Sequence, residues 1–208
     1  RLTRDGFAVR DVPEAEAAVL RARLHVAMNR PDDARKALTE AEKLGPADAT
    51  AEVSALLADE AKDDEALQAA LERAVLQPGM SRWAPYRLAT ELATGQDRKA
   101  LERVATLLGQ ATALNPNADG AWGYLGEVLA ALGRADEAIV AAEKAIALVP
   151  ASSRHRVSLA RVYTRLERYP EGLKAAGVGR AIARSPAERD DAQRALAEAV
   201  LQDGHQPC

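Results

Sequence analysis

Residues 117–150 read NADGAWGYLGEVLAALGRADEAIVAAEKAIALVP, and this stretch decides the architecture. Trp122, Leu125, Leu129 and Leu132 fall three and four residues apart, so a helix would carry them on one face. Ala138, Ala142 and Ala145 repeat that spacing on a second helix. Gly133 lies where the chain must turn between the two, and Pro150 lies where the second helix must stop. Gly126 and the alanines carry little bulk, so two antiparallel helices can approach closely there. The segment predicts one helix–turn–helix unit.

Its punctuation recurs along the chain. Ala34 with Pro46, Ala66 with Pro78, Ala100 with Pro116, Ala138 with Pro150 and Gly172 with Pro186 each join a small residue to a closing proline. The prolines lie 32, 38, 34 and 36 residues apart. Turn-forming stretches precede each small residue: NRPDDA, AKDDEA, TGQDRKA, LGRADEA and LERYPEG. A period of about 34 residues is the mark of stacked two-helix units, none of which can bury its apolar face alone.

On these residues the chain resembles the tetratricopeptide repeat (TPR) family. Trp122, Leu125, Gly126, Leu129, Ala138, Ala142, Ala145 and Pro150 stand at that family's signature positions. Ala142, in a slot usually aromatic, and Leu129, where Tyr is commonest, depart from the pattern. Leu159, Ala160, Tyr163, Leu166, Gly172, Ala181 and Pro186 match well, and Ala22, Ala34, Leu38, Ala41 and Pro46 match less fully. Units 49–78 and 82–116 are degenerate. The resemblance implies an all-α, right-handed α-solenoid of antiparallel helix pairs, a TPR-like superhelix. Five repeats are expected at 15–46, 49–78, 82–116, 117–150 and 153–186. Residues 1–14 read as a linker or the remnant of a preceding region, and 203–208 as a frayed tail. The intervening 187–202 reads as a capping helix, with Ser185 and Glu188 spaced as a capping box and a polar outer face suited to a terminal cap.

Two units are longer than the rest. The distance from small residue to proline is 16 in the third and 14 in the fifth, against 12 elsewhere. Four extra residues add about one helical turn and nearly keep the facing. Two would rotate the face by roughly half a turn, which calls for a break or bulge, and Gly177 and Gly179 in AAGVGRA are placed to absorb it. A phosphate-binding reading of that GxG fails, because no strand precedes it and Ile182 stands where a third glycine belongs.

Composition agrees with helices. Hydrophobic residues make up 48% but aromatics only 3%, so alanine and leucine carry the apolar content, and these favour helix over sheet. A formal net charge of −3 gives no drive toward nucleic acid or anionic membrane surfaces. No apolar run approaches the roughly 18 residues of a membrane span. The one cysteine, Cys208, has no partner within the chain, which suits either a cytoplasmic or a bacterial periplasmic setting.

Nothing in the sequence reads as an active site, so no enzymatic activity and no cofactor are expected. His25, His155 and His205 are scattered, none with a second ligand at metal spacing. His25 sits on an apolar helix face and reads as packed. The acidic run DEAKDDE at 59–65 lacks the spacing and glycine of a calcium loop. No GxSxG elbow occurs.

A binding face is legible instead. In the family, the first helix of each unit lines a concave groove. Transferred here, that facing selects Trp83, Tyr86, Arg87 and Thr90, then Gly120, Gly123, Tyr124 and Glu127, then Arg154, Ser158, Arg161 and Arg165. The last four follow i, i+4, i+7, i+11 and form a single stripe. Two readings of this stripe stand side by side. Guanidiniums beside aromatic rings suit the carboxylates of an acidic, extended peptide; equally, exposed arginines pair with acids on neighbouring helices. The lysine and asparagine clamp that chaperone-binding TPR proteins use is missing, since Asn29, Asn115 and Asn117 lie in turns and the lysines in turns or second helices. The expected function is a non-catalytic scaffold that binds a partner protein or peptide in the groove. The alternative is an accessory segment of a larger enzyme or of a bacterial envelope or secretion assembly, motivated by a start at Arg1. Self-association between exposed faces is a third reading.

Overall fold

A computed structural model describes residues 13–44, 50–76, 83–92 and 97–204. The expectations placed on 1–12, on the tail from 205, and on Pro46 and Pro78 lie outside the described residues. Among the described residues the chain is all α-helix, with no strand. The helices are α1 (Glu14–Ala27), α2 (Pro31–Leu44), α3 (Thr50–Ala61), α4 (Asp64–Leu76), α5 (Ala84–Glu91) and α6 (Arg98–Leu114). They continue with α7 (Asp119–Ala131), α8 (Ala135–Leu148), α9 (Ser153–Arg165), α10 (Tyr169–Ile182) and α11 (Pro186–Asp203). The chain falls into two compact units, 1–84 and 85–208.

In the first unit α1 pairs with α2 and α3 with α4, and α3 packs on both α1 and α2. The core between them is mostly methyl-sized: Ala18, Val19, Ala22, Ala34, Ala37, Leu38 and Ala41 meet Val53 and Leu57. In the second unit α7 pairs with α8, α9 with α10, and α11 packs on both α9 and α10. First helices of successive pairs also touch, α7 on α9 and α9 on α11. Burial of apolar faces by neighbours of the same kind is what holds such an array together.

One turn design joins the helices within each of four pairs. Asn29, Lys62, Gly133 and Glu167 take φ of 55°, 56°, 77° and 60°, the left-handed conformation that ends a helix. The next residue then returns its N–H to a carbonyl five residues back: Arg30 to His25, Asp63 to Ala58, Arg134 to Leu129 and Arg168 to Tyr163, at 2.8–3.0 Å. This satisfies carbonyls that the helix end would leave orphaned.

The helix pairs close on glycine. A Cβ on Gly126 of α7 would stand 2.9 Å from the Ala138 carbonyl oxygen and 3.2 Å from the Ala142 Cβ of α8. In the following pair the glycine has changed sides: Gly172 of α10 faces Ala160 and Thr164 of α9. Ala142 fits the usually aromatic slot because it is fully buried against Gly126.

Of the two units that read as long, only the third holds extra residues. In the third, α6 itself is longer, 17 residues against 14 in α8. In the fifth, the expected break at Gly177 and Gly179 does not occur. α10 runs unbroken from Tyr169 to Ile182, the same length as α8. The connector 183–185 is one residue shorter than 149–152, so the fifth unit carries no extra residues: Pro186 is the first residue of α11 rather than the counterpart of Pro150. Counted from Gly172 rather than back from Pro186, the register is that of α8: Gly179 fills the buried position that Ala145 holds there, and Ala181 is exposed. Gly179 lets α9 close in, its missing Cβ standing 3.2 Å from the Cβ of Arg156. Buried Ser153 then donates a hydrogen bond to the Gly179 carbonyl at 2.8 Å. Ser185 caps α11 by accepting from the Glu188 N–H, while the Glu188 carboxylate reaches back to the N–H of Arg184, one residue before the box position.

Candidate functional site

In the second unit the first helices α5, α7, α9 and α11 bring four of the selected side chains into a row. Tyr86 is exposed on α5, and its hydroxyl lies over Gly120 of α7, 3.6 Å from where a Cβ would stand. Tyr124 follows on α7, half-buried. Burial pushes its phenol pKa up, and the charges of Glu127 and Tyr86 add to the shift. Glu127, one turn on, approaches Arg161 of α9 at 4.0 Å. Arg161 in turn makes a 2.6 Å charge-assisted bond to Asp191 of α11, which Arg194 also approaches at 3.5 Å. One arginine on the central helix thus ties together the helices on either side of it.

The rest of the stripe divides. Arg154 and Arg165 are exposed and have no ion pair among the described residues. Ser158 is buried, close to Gly123, and both belong to the junction of α7, α8 and α9 rather than to an open face. Arg87 pairs with Glu91 along its own helix at 3.1 Å, and the Thr90 hydroxyl donates to the Arg87 carbonyl. Trp122, placed by its spacing on the face of Leu125 and Leu129, is half-buried and donates its indole N–H to the Pro116 carbonyl at 3.0 Å.

Trp83 belongs to the first unit, where its indole N–H donates to Glu52 at 2.7 Å. Arg23 of α1 donates to the same carboxylate oxygen at 2.8 Å. Glu52 is only 8% exposed, so both donors are needed to hold its charge away from water. Sequence reasoning does not single it out, although an acid between Ala51 and Val53 in an apolar run is a signal. A parallel lies in the spacing. Arg23 reaches an acid on the next first helix 29 residues later, and Arg161 reaches one 30 residues later.

His155, a lone histidine in the sequence, is buried. Its Nε2 bonds Asp119 at the start of α7 at 2.7 Å, another link between successive first helices. His25 is half-buried on α1. No group of three His, Cys, Asp or Glu side chains among the described residues could hold a metal ion. No described helix is long and apolar enough to cross a membrane.

The tetratricopeptide repeat family model matches residues 19–82 and 91–153, more than half of the chain. The chain belongs to the tetratricopeptide repeat family. Solved structures share its fold at low sequence identity. YrrB, described as a TPR protein with an unusual peptide-binding site, superposes with a TM-score of 0.73 at 18% identity, covering 88% of this chain and 93% of YrrB. TTC0263, a thermophilic TPR protein of Thermus thermophilus, gives 0.57 at 20% identity, covering 90% and 99%. MamA from residue 41 onward, of Desulfovibrio magneticus RS-1, gives 0.64 at 16% identity, covering 86% and 99%. No curated protein matches the sequence.

Proposed function

We propose that this TPR protein is a non-catalytic scaffold that holds an extended segment of a partner protein along the first-helix face of its second unit. The observation that carries this reading is the row Tyr86, Tyr124, Glu127, Arg161. Exposed aromatic surface sits beside a helix bared by Gly120, and ion-paired groups border it. Aromatic rings anchor partner side chains with little entropy to lose, and polar neighbours fix their orientation. Family membership supports a binding role, and YrrB is a peptide binder of the same fold.

The partner's chemistry follows from which charges remain free. Arg161 already faces Glu127 and Asp191, so it offers little to an incoming carboxylate. Arg154 and Arg165 keep their guanidiniums for the partner, one near each end of α9. The reading is therefore an aromatic or aliphatic anchor at Tyr86 and Tyr124 with acidic residues toward Arg154 or Arg165. An accessory role inside a larger assembly would use the same face.

Selection of peptides from a random displayed library against the chain tests this. Selected peptides should lose at least ten-fold in affinity on Tyr86→Ala, and acidic ones a smaller factor on Arg154→Glu with Arg165→Glu, with helicity unchanged. Peptides that bind all these variants as well as they bind the parent would overturn the assignment.

A further inference from the structure

The two ends of α9 differ in charge. Three contacts gather helix ends at its start. His155 bonds Asp119 at 2.7 Å, so α7 and α9 begin side by side. Ser153 donates to the Gly179 carbonyl, which sets the last turn of α10 beside the first of α9. Arg161 holds Asp191 at 2.6 Å, so the first turns of α11 lie along α9 as well. This end of the second unit carries Arg154 and Arg156 on α9, Arg180 on α10, Arg184 in the connector and Arg189 on α11. None of the five has an ion pair among the described residues, and all but Arg156 are exposed. Arg180 meets the Gln193 amide, and the buried Nε of Arg156 has no acceptor. Of the carboxylates here, Asp119 is bonded to His155 and Glu188 to the Arg184 N–H, while Asp190 faces solvent. The far end of α9 is balanced. Arg165 has exposed Glu167 two residues on. Stepping up from Arg161 and Asp191, it also comes within a turn of exposed Glu198, which shares the Asp191 face of α11 at i+7.

A lane leads to the arginine end. The Tyr86 hydroxyl lies over Gly120, 3.6 Å from where a Cβ would stand. Gly126 packs on Ala138 as Ala160 packs on Gly172, so α7 and α9 share a register of 34 residues and Gly120 corresponds to Arg154. Arg184 lies seven residues before Asp191, as Arg154 lies seven before its partner Arg161. Tyr86, the bare backbone of Gly120, Arg154 and Arg184 therefore follow one another across α5, α7, α9 and the turn into α11. We infer, resting on the first-helix face being the binding surface, that the partner's segment is acidic on one side of its Tyr86 anchor. Its carboxylates cross Gly120 to Arg154 and Arg184 instead of turning along α9 to Arg165. Guanidiniums without an internal partner hold carboxylates through paired N–H donors, and an excess of one charge draws the opposite one in. A protein segment fits this lane better than a nucleic acid or an anionic membrane. The lane starts at an aromatic ring, and the chain as a whole carries a formal charge of −3, which repels an extended polyanion.

Peptides selected from a random displayed library on the full chain, then measured by fluorescence anisotropy, read this. They should carry a run of acidic residues beside an aromatic or aliphatic one. Arg154→Ala with Arg184→Ala should weaken them about ten-fold and flatten their salt dependence, and Arg165→Ala less than about two-fold. Gly120→Glu should weaken them by a similar factor to the double variant with helicity unchanged, since beyond its own helix only the Tyr86 hydroxyl comes within 4 Å of a Cβ there. Peptides that need Tyr86 but ignore Arg154 and Arg184, or that depend on Arg165 instead, would overturn the lane and leave the binding face standing. Peptides indifferent to Tyr86→Ala would overturn the binding face itself, and the lane with it. An oligodeoxythymidylate that displaces the peptides at equal concentration of charge would overturn the choice of an acidic protein segment.

Discussion

The hairpins α7/α8 and α9/α10 solve one packing problem with the glycine on opposite helices. In the first, Gly126 of the leading helix meets the backbone of Ala138; in the second, Ala160 of the leading helix meets Gly172 of the following one. What the array conserves is the distance between the helices, and either side can supply the missing methyl. The second pair adds a further contact that the first lacks. Gly179 brings α9 near enough for Ser153 to bond a backbone carbonyl, whereas its counterpart Ala145 packs as an ordinary methyl.

This comparison can be broken most severely at Gly126. Gly126→Ala places a Cβ 2.9 Å from a backbone oxygen that cannot rotate away, and should cost about 2–3 kcal/mol in chemical denaturation. Adding Ala138→Gly imports the α9/α10 arrangement and should recover a good part of that loss; no recovery would mean the two crossings are not equivalent. Gly179→Ala meets side-chain carbon at 3.2 Å and should cost about 1 kcal/mol, whereas Gly177→Ala, with nothing within 4 Å, should stabilise by roughly 0.5–1 kcal/mol through helix propensity. Opposite signs two residues apart are the sharpest check that α10 is continuous there. Arg161→Glu, which sets three carboxylates together across α7, α9 and α11, should cost about 1 kcal/mol, less at high salt.

The smallest effect is a titration. Because the Tyr124 phenol is held above its ordinary value, mainly by burial, the folded chain keeps that proton longer than the unfolded chain does. Stability should therefore fall as pH rises from the ordinary phenol range through the raised value. Glu127→Gln removes one cause and should move the phenolate absorbance transition down; an unmoved transition would leave burial and the neighbouring Tyr86 as the causes.

Much of the fold is open to reading in the sequence. The three–four spacing of Trp122, Leu125, Leu129 and Leu132 and the alanines of α8 carry helix, facing and pairing in a single stretch, because each acts locally. The fifth unit is harder. Pro186 looks like the counterpart of Pro150, yet a proline fits the first position of a helix as well as the end of the one before, so it cannot set the register. The turns tell a similar story: two left-handed residues are Gly133 and Asn29, the types that favour it, but Lys62 and Glu167 hold the same conformation without the usual sign of it.

The candidate face is legible only as a set of positions. Helical spacing puts Arg154, Ser158, Arg161 and Arg165 on one stripe, but it carries no information about what stands opposite. Packing buries Ser158, gives Arg161 to Glu127 and Asp191, and leaves Arg154 and Arg165 without an ion pair among the described residues. Sequence alone therefore determined that this chain is a row of helix pairs, since periodicity and small residues at fixed intervals are properties of one strand of text. Only the tertiary structure decided which charges are spent and which remain, because an ion pair belongs to two helices about 30 residues apart and neither spells out the other.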